Sequence, residues 1–264
     1  MNAAHLTAEA GIIDVSALPP IGLAELNAEA ALQTRVDRKY VVPVATARQV
    51  LADFGGQPRV LEMDGLRSFA YDSVYFDTPG LDSYLLAARG RRRRYKIRTR
   101  TYTDTGTSFL EVKTEGARAA TVKERVPYDI ADRSRLTTEG LEYVKETLAT
   151  AVGDVPAGAL GPVLESRYRR TTLYLPESGS RATIDSHVTW QGSDGQPWVL
   201  EGSVVLETKS GSAAGPLDRH LWQHGVRPCR ISKFATGMAA LHPHLPANRW
   251  NRTLRHSLRL APVA

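Results

Sequence analysis

Basic residues occupy every second position in one segment of the sequence. Lys96, Arg98 and Arg100 alternate there with Tyr95 and Ile97. Residues two apart in a β-strand share a face, so this segment predicts one cationic face and one apolar to neutral face. A guanidinium group binds phosphate through two parallel hydrogen bonds, and an ammonium group adds a compact positive charge. The spacing therefore indicates binding of a phosphate-rich anion.

The same alternation recurs along the chain, and the few carboxylates on these faces stand two or four residues from a cation. The further sets that would share a strand face are Glu111 with Lys113, Lys123 with Arg125, Glu165 with Arg167 and Arg169, Arg181 with Asp185, and Glu207 with Lys209. Two interpretations remain open. Such faces are common on the solvated side of a sheet. They would equally line the interior of a polar barrel, provided that an anion compensates the buried positive charge.

The elements that carry these side chains are predicted to be many strands with short helices between them. Because strands and helices do not alternate as in a parallel sheet, the order predicts an antiparallel α+β protein. The predicted strands cover residues 71–76, 94–102, 108–113, 121–130, 165–175, 181–190 and 198–209. The predicted helices cover residues 43–54, 81–88, 137–150, 215–224 and 234–241, with a short one within 23–32.

Length and composition allow one large domain with a sizeable core. The chain has 264 residues and a formal net charge of +6, which favours an anionic partner. We expect a weakly structured lead-in over residues 1–30, a main domain over 31–245 and a basic tail over 246–264. No secretory signal or apolar run of membrane-spanning length is visible, so a cytoplasmic location is the expectation.

Several other functions lack support in the sequence. There is no Gly-x-x-x-x-Gly-Lys loop of a P-loop nucleotide-binding protein. The single cysteine, Cys229, has no evident histidine partner and is expected to be an unreactive thiol. Arg89 to Arg94 forms a basic run, but few aromatic residues stand near it for base stacking, so we expect no specific nucleic-acid partner.

Eight short motifs, taken in order, resemble the polyphosphate polymerase domain of the vacuolar transporter chaperone (VTC) family, within the CYTH-like triphosphate tunnel metalloenzymes. Each motif alone is weak, whereas the ordered series is specific and extends from about residue 31 to about 242. The motifs are Arg35-x-Asp37-Arg38-Lys39-Tyr40, Val74-Tyr75-Phe76-Asp77-Thr78, Lys96-Ile97-Arg98-Thr99-Arg100, Phe109-Leu110-Glu111-Val112-Lys113-Thr114, Val122-Lys123-Glu124-Arg125, Tyr168-Arg169-Arg170-Thr171, Leu206-Glu207-Thr208-Lys209 and Ser232-Lys233-Phe234.

This resemblance implies a closed tunnel of eight antiparallel β-strands with basic inward side chains and flanking short helices. It implies an enzyme that transfers the γ-phosphate of ATP onto a growing inorganic polyphosphate chain. By the resemblance and the strand pattern together, the catalytic candidates are Arg98, Arg100, Lys123 and Lys209. The candidates for substrate binding are Lys39, Lys96, Lys113, Arg125, Arg167, Arg169, Arg181 and Lys233.

The resemblance also implies a divalent metal ion, Mn²⁺ or Mg²⁺, with Glu207 as its main ligand and Glu111 as a second candidate. Many CYTH relatives begin with Glu-x-Glu-x-Lys, but this chain has Arg35, Asp37 and Lys39 at those positions, so fewer metal ligands are expected. Two alternatives stay open: a triphosphate hydrolase of the same fold, in which Glu111 would orient water, and a polyphosphate-binding sensor without activity. A membrane protein that collects the polymer is left open as a partner.

Overall fold

The computed structural model describes residues 12–30, 36–115, 121–153, 156 and 158–263; Arg35 lies outside them. Its strands are β1 (Pro20–Ile21), β2 (Val36–Pro43), β3 (Arg59–Leu61), β4 (Phe69–Asp77), β5 (Tyr95–Tyr102), β6 (Thr107–Glu115), β7 (Thr121–Pro127), β8 (Gly161–Leu175), β9 (Ser180–Gln191), β10 (Pro197–Leu200), β11 (Ser203–Ser210) and β12 (Leu260–Pro262). Its helices are α1 (Leu23–Glu29), α2 (Val44–Ala52), α3 (Asp82–Ala88), α4 (Thr138–Val152), α5 (Pro216–Gln223), α6 (Lys233–Leu241) and α7 (Asn251–His256). No helix in the described part is long and apolar enough to cross a membrane.

The prediction of an antiparallel α+β fold with short flanking helices is confirmed, but the strand count differs. The described strands form a twelve-stranded sheet whose main path runs β12-β10-β9-β8-β4-β5-β6-β7. Within these residues the path does not return to its first strand, so the closed eight-stranded arrangement is not reproduced. Four strands, β1, β3, β10 and β12, have only two to four residues. Alternation cannot reveal strands this short.

One predicted strand is divided by a turn. Residues 198–209 were expected to be continuous, whereas β10 ends at Leu200 and β11 begins at Ser203. Gly202 has a φ of +60°, a left-handed conformation that glycine adopts without steric penalty. The turn therefore separates the strand that carries Glu207 from the preceding apolar segment.

The chain divides into two compact units. The first unit comprises the residues up to Phe69, Arg169–His187 and Gly202–Cys229. The second comprises Ala70–Tyr168, Val188–Glu201 and Arg230 onward. Because the chain passes between them within β8 and β9, each of these strands contributes residues to both units.

In the first unit, β11 pairs with β2 on one side and β9 on the other, both antiparallel. One face of this ladder is apolar and packs on α2 and α5 in a buried core. Tyr40 lies on that face, and its hydroxyl donates to Asp218 at 2.7 Å. The carboxylate of Asp218 is fully buried and also accepts from Thr208 at 2.5 Å and from the backbone N–H of Gly215 at 2.8 Å. These bonds satisfy the buried carboxylate and fix α5 against the ladder.

In the second unit, β4, β5, β6 and β7 form a continuous antiparallel ladder. Ile97, Leu110 and Val112 point from its apolar face into a core shared with Val144 and Leu148 of α4. The amphipathic period of α4 places these two residues on one side of the helix. Because α4 covers the apolar face, the alternate residues of β5 and β6 lie on the opposite face.

The segment 246–264, expected to be a basic tail, contains ordered structure. It carries α7 and β12, and β12 pairs antiparallel with β10. Trp250 is buried and lies against the ring of Tyr84. The arginines of this segment therefore extend from a packed part of the second unit.

Candidate functional site

The second unit brings together most of the predicted cations. Arg98 pairs in register with Glu111, which pairs in turn with Arg125, so these three side chains share one face. Lys96, Lys113 and Lys123 form the neighbouring row on the same face. The sequence-based prediction that β5 carries a cationic face is therefore confirmed, together with its extension over β6 and β7.

Glu111 lies at the centre of this face, and only 1% of it is exposed. Its Oε2 accepts from Nε of Arg98 at 2.8 Å and from Nη2 at 2.6 Å, while Oε1 accepts from Nζ of Lys123 at 2.9 Å. Burial alone would raise the pKa of this carboxyl. The nearby charges of Arg98, Arg100 and Lys123 outweigh that effect and hold the pKa well below its usual range. Glu111 is thus a fixed negative charge among cations.

The cations of this face outnumber the carboxylates. Strands β5, β6 and β7 supply six cationic side chains to it, and the carboxylates of β6 on this face are Glu111 and Glu115. Glu115 pairs with Arg94, which precedes β5. Crowding is visible at Lys123, because its burial, with the adjacent charges of Arg98 and Arg100, lowers the pKa of the ammonium despite Glu111. An anionic ligand would relieve this repulsion.

Arg100 and two serines add buried polar atoms that have no hydrogen-bond partner among the described residues. Nη2 of Arg100 donates to the hydroxyl of Tyr168 at 3.0 Å, while its buried Nε has no hydrogen-bond partner among the described residues. Ser73 pairs in register with Arg100, and the buried hydroxyls of Ser73 and Ser166 are likewise without a partner in the described structure. Tyr71 stacks on Tyr168, so the two serines, each two residues from the stacked pair, share its face. Buried polar groups are normally hydrogen-bonded, so these atoms suit a polar ligand.

Helix α6 contributes Lys233 and the N-cap residue Ser232 to the second unit's site. Nζ of Lys233 lies 4.1 Å from the ring centroid of Tyr168, and Nζ of Lys96 donates to the hydroxyl of Ser232 at 3.0 Å. The backbone carbonyl of Lys233 accepts from Nε1 of Trp190 at 2.7 Å. Gly237, one turn along α6, approaches Trp190 so closely that a Cβ atom there would collide with the indole. Trp190 therefore sets the position of α6 and of Lys233.

The first unit holds the second group of predicted residues. Nζ of Lys209 lies 2.6 Å from Oε1 of Glu207 and 3.2 Å from Oδ2 of Asp37, while Lys39 approaches Oε2 of Glu207 at 3.7 Å. Burial would raise the pKa of Glu207, but Lys39, Lys209 and Arg170 overcome it and hold the pKa well below the usual range. Glu207 and Asp37 are therefore oriented around one cation.

Arg170 is a charged residue of this face that the sequence analysis did not select. It makes a bidentate ion pair with Asp185, with Nε to Oδ1 at 2.6 Å and Nη2 to Oδ2 at 2.8 Å. Asp185 lies on the face of Glu207, two register positions away, and Arg181 lies on the same face opposite Lys209. In the sequence Arg170 stands directly after Arg169, on the alternate set of β8 opposite to the set of Glu165, Arg167 and Arg169.

Arg167 and Arg169 lie apart from these groups. Nε of Arg167 is 3.3 Å from Asp72, a residue that pairs with Thr101 and so lies on the face of β4 and β5 opposite to Arg100. Arg169, in the first unit, donates to the backbone carbonyl of Ser68 at 2.7 Å. The structure thus brings neither residue to a carboxylate of the two polar faces, and their substrate-binding role remains only a sequence-based prediction.

The carboxylates fit a divalent cation in one respect. A hard metal ion prefers oxygen ligands and commonly completes its shell with water and phosphate oxygens. The ammonium of Lys209 lies between Glu207 and Asp37, which shows that both carboxylates can face one positive charge. Among the described residues there is no group of three or more His, Cys, Asp or Glu side chains that could hold a metal ion. Glu111 is enclosed by Arg98 and Lys123 and fits a metal ion less well.

The family of the chain follows from comparison of its sequence with known families. The sequence model of the VTC domain matches residues 34–242. The chain belongs to the VTC domain family. The matched region of this VTC domain contains all the predicted site residues, from Lys39 to Lys233. The resemblance drawn from eight ordered motifs is therefore confirmed.

Solved structures similar to this VTC domain share little sequence with it. One is a candidate adenylyl cyclase from Hippeastrum, described as having a dominant triphosphatase activity; identity is 18%, coverage is 78% of this chain and 96% of the other, and the TM-score is 0.49. Another is a candidate adenylate cyclase from Vibrio parahaemolyticus, with 14% identity, coverage of 78% and 98%, and a TM-score of 0.44. No curated protein matches the sequence.

Proposed function

We propose that this VTC domain is a metal-dependent polyphosphate polymerase that transfers the γ-phosphate of ATP onto inorganic polyphosphate. The observation that carries the proposal is the polar face of the second unit. There the cations exceed the carboxylates, and the buried Nε of Arg100 lies with the hydroxyls of Ser73 and Ser166 without a partner in the described structure. Donors arranged in this way suit the oxygens of a chain of phosphates.

The proposed reaction needs little covalent help from the protein. A terminal oxygen of polyphosphate forms a bond to the γ-phosphorus of ATP, and the bond between that phosphorus and the β–γ bridging oxygen breaks. The electron pair stays on the bridging oxygen of ADP, and the polymer gains one phosphate. Positioning of the phosphates and stabilisation of their equatorial oxygens supply most of the catalysis in such reactions.

Arg98, Arg100 and Lys123 are proposed to hold the reacting phosphates. Arg100 is half-buried and has a buried, unsatisfied Nε, so it can form a further hydrogen bond without breaking its contact with Tyr168. Glu111 keeps Arg98 and Lys123 in place before substrate binds. Lys96 and Lys233, beside the N-terminal end of α6, are proposed to bind neighbouring phosphates.

In the first unit, Glu207 and Asp37 are proposed to hold the divalent cation, and Lys39, Lys209 and Arg181 to bind phosphate oxygens. A Mg²⁺ or Mn²⁺ ion held there would act as a Lewis acid and neutralise charge on phosphate oxygens. Lys209 would then leave the space between the two carboxylates. Its side chain, which is now bonded to both, would be available to phosphate.

The state of Glu111 supports transfer to phosphate over hydrolysis. A hydrolase needs a group that accepts a proton from water or orients it, and such a base works best with a pKa near the working pH. Both oxygens of Glu111 are bonded to cations, and its pKa is held far below that range. An acceptor phosphate is already ionised and needs no base.

The test is incubation of the purified protein with ATP and either Mn²⁺ or Mg²⁺, followed by separation of the products by size. The proposal expects ADP and a long, acid-labile polymer. Arg100→Ala should lower kcat/KM by about 10²–10³-fold, and Arg135→Ala, an exposed arginine paired with Asp132, should match the wild type. Release of free phosphate without polymer would instead identify a triphosphatase, and tight binding without turnover would identify a sensor.

A further inference from the structure

A second basic site lies in the second unit, around the end of α3. It is a cavity of about 740 Å³. Its wall combines arginines with apolar side chains from α3 and from the end of α4. The lining comprises Asp82, Leu85, Leu86, Arg89, Arg91, Arg92, Arg93, Tyr95, Val152 and Pro156.

This cavity is separate from the polar face of the same unit. Tyr95 lines it, and Tyr95 alternates with Lys96 and Arg98 along β5, so the cavity opens on the opposite face of the strand. Tyr95 and Val152 also belong to the buried core beneath α4. The lining therefore includes buried residues of the apolar core, whereas the arginines, which are exposed, form its rim.

Among the described lining residues, four arginines stand against one carboxylate, that of Asp82, so the rim carries excess positive charge. Arg89, Arg91, Arg92 and Arg93 are exposed, and none of them forms an ion pair with a carboxylate in the described part of the chain. Arg94, the next residue, does form an ion pair, with Glu115.

A further arginine, Arg249, which stands shortly before α7, adds to this charge. The guanidinium of Arg249 lies against Gly90, within the same basic run. Burial and the positive charge of Arg249 together lower the pKa of Arg94. Neighbouring cations thus repel one another at this place.

Several adjacent guanidinium groups at a concave surface concentrate a positive potential and favour an extended anion over a single one. One phosphate can take one or two arginine forks, whereas a run of linked phosphates can contact all of them. A nucleic acid would also need aromatic surfaces for its bases. The aromatic residue lining this cavity is Tyr95, which is only 8% exposed.

We propose that this cavity and its arginine rim bind a segment of inorganic polyphosphate outside the polar face where transfer is proposed to occur. The inference rests on the proposed function for its ligand. Its consequence is that long chains bind more tightly than short ones, because only a long chain can occupy both places.

The test uses the full chain and compares long-chain polyphosphate with tripolyphosphate by equilibrium binding, without ATP. In the charge-reversal variant Arg91→Glu, Arg92→Glu, Arg93→Glu, the Kd for long-chain polyphosphate should rise at least about tenfold and become less dependent on salt. The Kd for tripolyphosphate should stay within about twofold. The milder variant with Gln at the same three positions should move the long-chain Kd in the same direction.

The matched control is Arg252→Glu, Arg255→Glu, Arg259→Glu, which changes the net charge equally at exposed positions outside the cavity lining. An equal rise in the Kd for long-chain polyphosphate in this control would show that net charge alone causes the effect. That result would overturn the proposal. So would an unchanged long-chain Kd in both cavity variants, or equal competition by DNA. Because binding is measured without turnover, these outcomes can be interpreted even if the protein fails the polymerase test.

Discussion

Arg98 donates two hydrogen bonds to a single carboxylate oxygen of Glu111, from Nε at 2.8 Å and from Nη2 at 2.6 Å. The other oxygen of Glu111 accepts a hydrogen bond from Nζ of Lys123. A buried carboxylate enclosed in this way preorganises two cations, one on each of the strands that flank its own, before a ligand arrives. Its stabilising role and its effect on anion binding oppose each other, because its charge holds the cations and also repels phosphate.

Glu111→Gln should therefore destabilise the fold and strengthen anion binding. Removing the charge leaves Arg98 and Lys123 without their counter-ion, and we expect a loss of about 2–4 kcal/mol in the free energy of unfolding. The affinity for tripolyphosphate should rise, since one negative charge is gone from the polar face. Denaturant unfolding and calorimetric titration measure the two effects. Glu146→Gln, at an exposed position of α4, is the control, and weaker tripolyphosphate binding by Glu111→Gln would contradict this account.

Glu207→Gln should weaken Mn²⁺ binding at least about tenfold, because one of the two proposed carboxylate ligands loses its charge. Lys209→Ala should leave Mn²⁺ affinity unchanged or higher, since the ammonium that lies between Glu207 and Asp37 is removed. Binding is followed by the electron paramagnetic resonance signal of free Mn²⁺, which does not depend on turnover. Glu201→Gln, exposed in the turn before β11, provides the control. Equal Mn²⁺ affinity in Glu207→Gln and wild type would exclude Glu207 as a ligand.

Stability should fall in acid. The folded-state pKa of Glu111 lies below the ordinary value of 4.5, so its ion pairs stabilise the protein fully above that pH. The contribution is lost as the pH falls from 4.5 toward the lower folded-state pKa. Thermal unfolding between neutral pH and pH 3 should show a declining Tm below about 4.5, with a shallower decline in Glu111→Gln. Parallel profiles for the two proteins would show that other groups control acid stability.

Two arginines on opposite faces of the second unit should differ in function. Arg100→Ala removes a guanidinium from the polar face, and a lost charge-assisted contact of about 1.5–3 kcal/mol weakens tripolyphosphate binding by about 10- to 150-fold. Arg167→Ala should change that affinity less than about twofold, because Arg167 contacts Asp72 on the other face. Equal losses of tripolyphosphate affinity in the two variants would mean that the face on which an arginine lies does not determine phosphate binding.

Much of the polar face of the second unit could be predicted from local alternation. In β5 one set of alternate residues is basic and the other is apolar or neutral, so only one arrangement buries the apolar set against α4. The shared face of Glu111, Lys123 and Arg125 follows from the same rule applied to β6 and β7.

Strand β8 could not be assigned in this way. Arginines stand on both of its alternating sets, with Arg167 and Arg169 on one and Arg170 on the other. Alternation shows which residues of β8 share a face. It does not show which of the two faces is the one that carries Glu207. Contacts with Asp72 and Asp185, distant in sequence, decide that Arg170 lies on the face of Glu207. The short strands and the exact strand count depend on similar long-range pairing.

Because Gly237 lies so close to Trp190, a substitution at Gly237 would displace Lys233. A methyl group added at Gly237 would push α6 away from the indole, and the same indole is hydrogen-bonded to the carbonyl of Lys233. An uncharged residue one turn further along α6 thus governs where the ammonium group of Lys233 can reach. Loss of phosphate affinity could then arise in a variant that keeps all of its arginines and lysines.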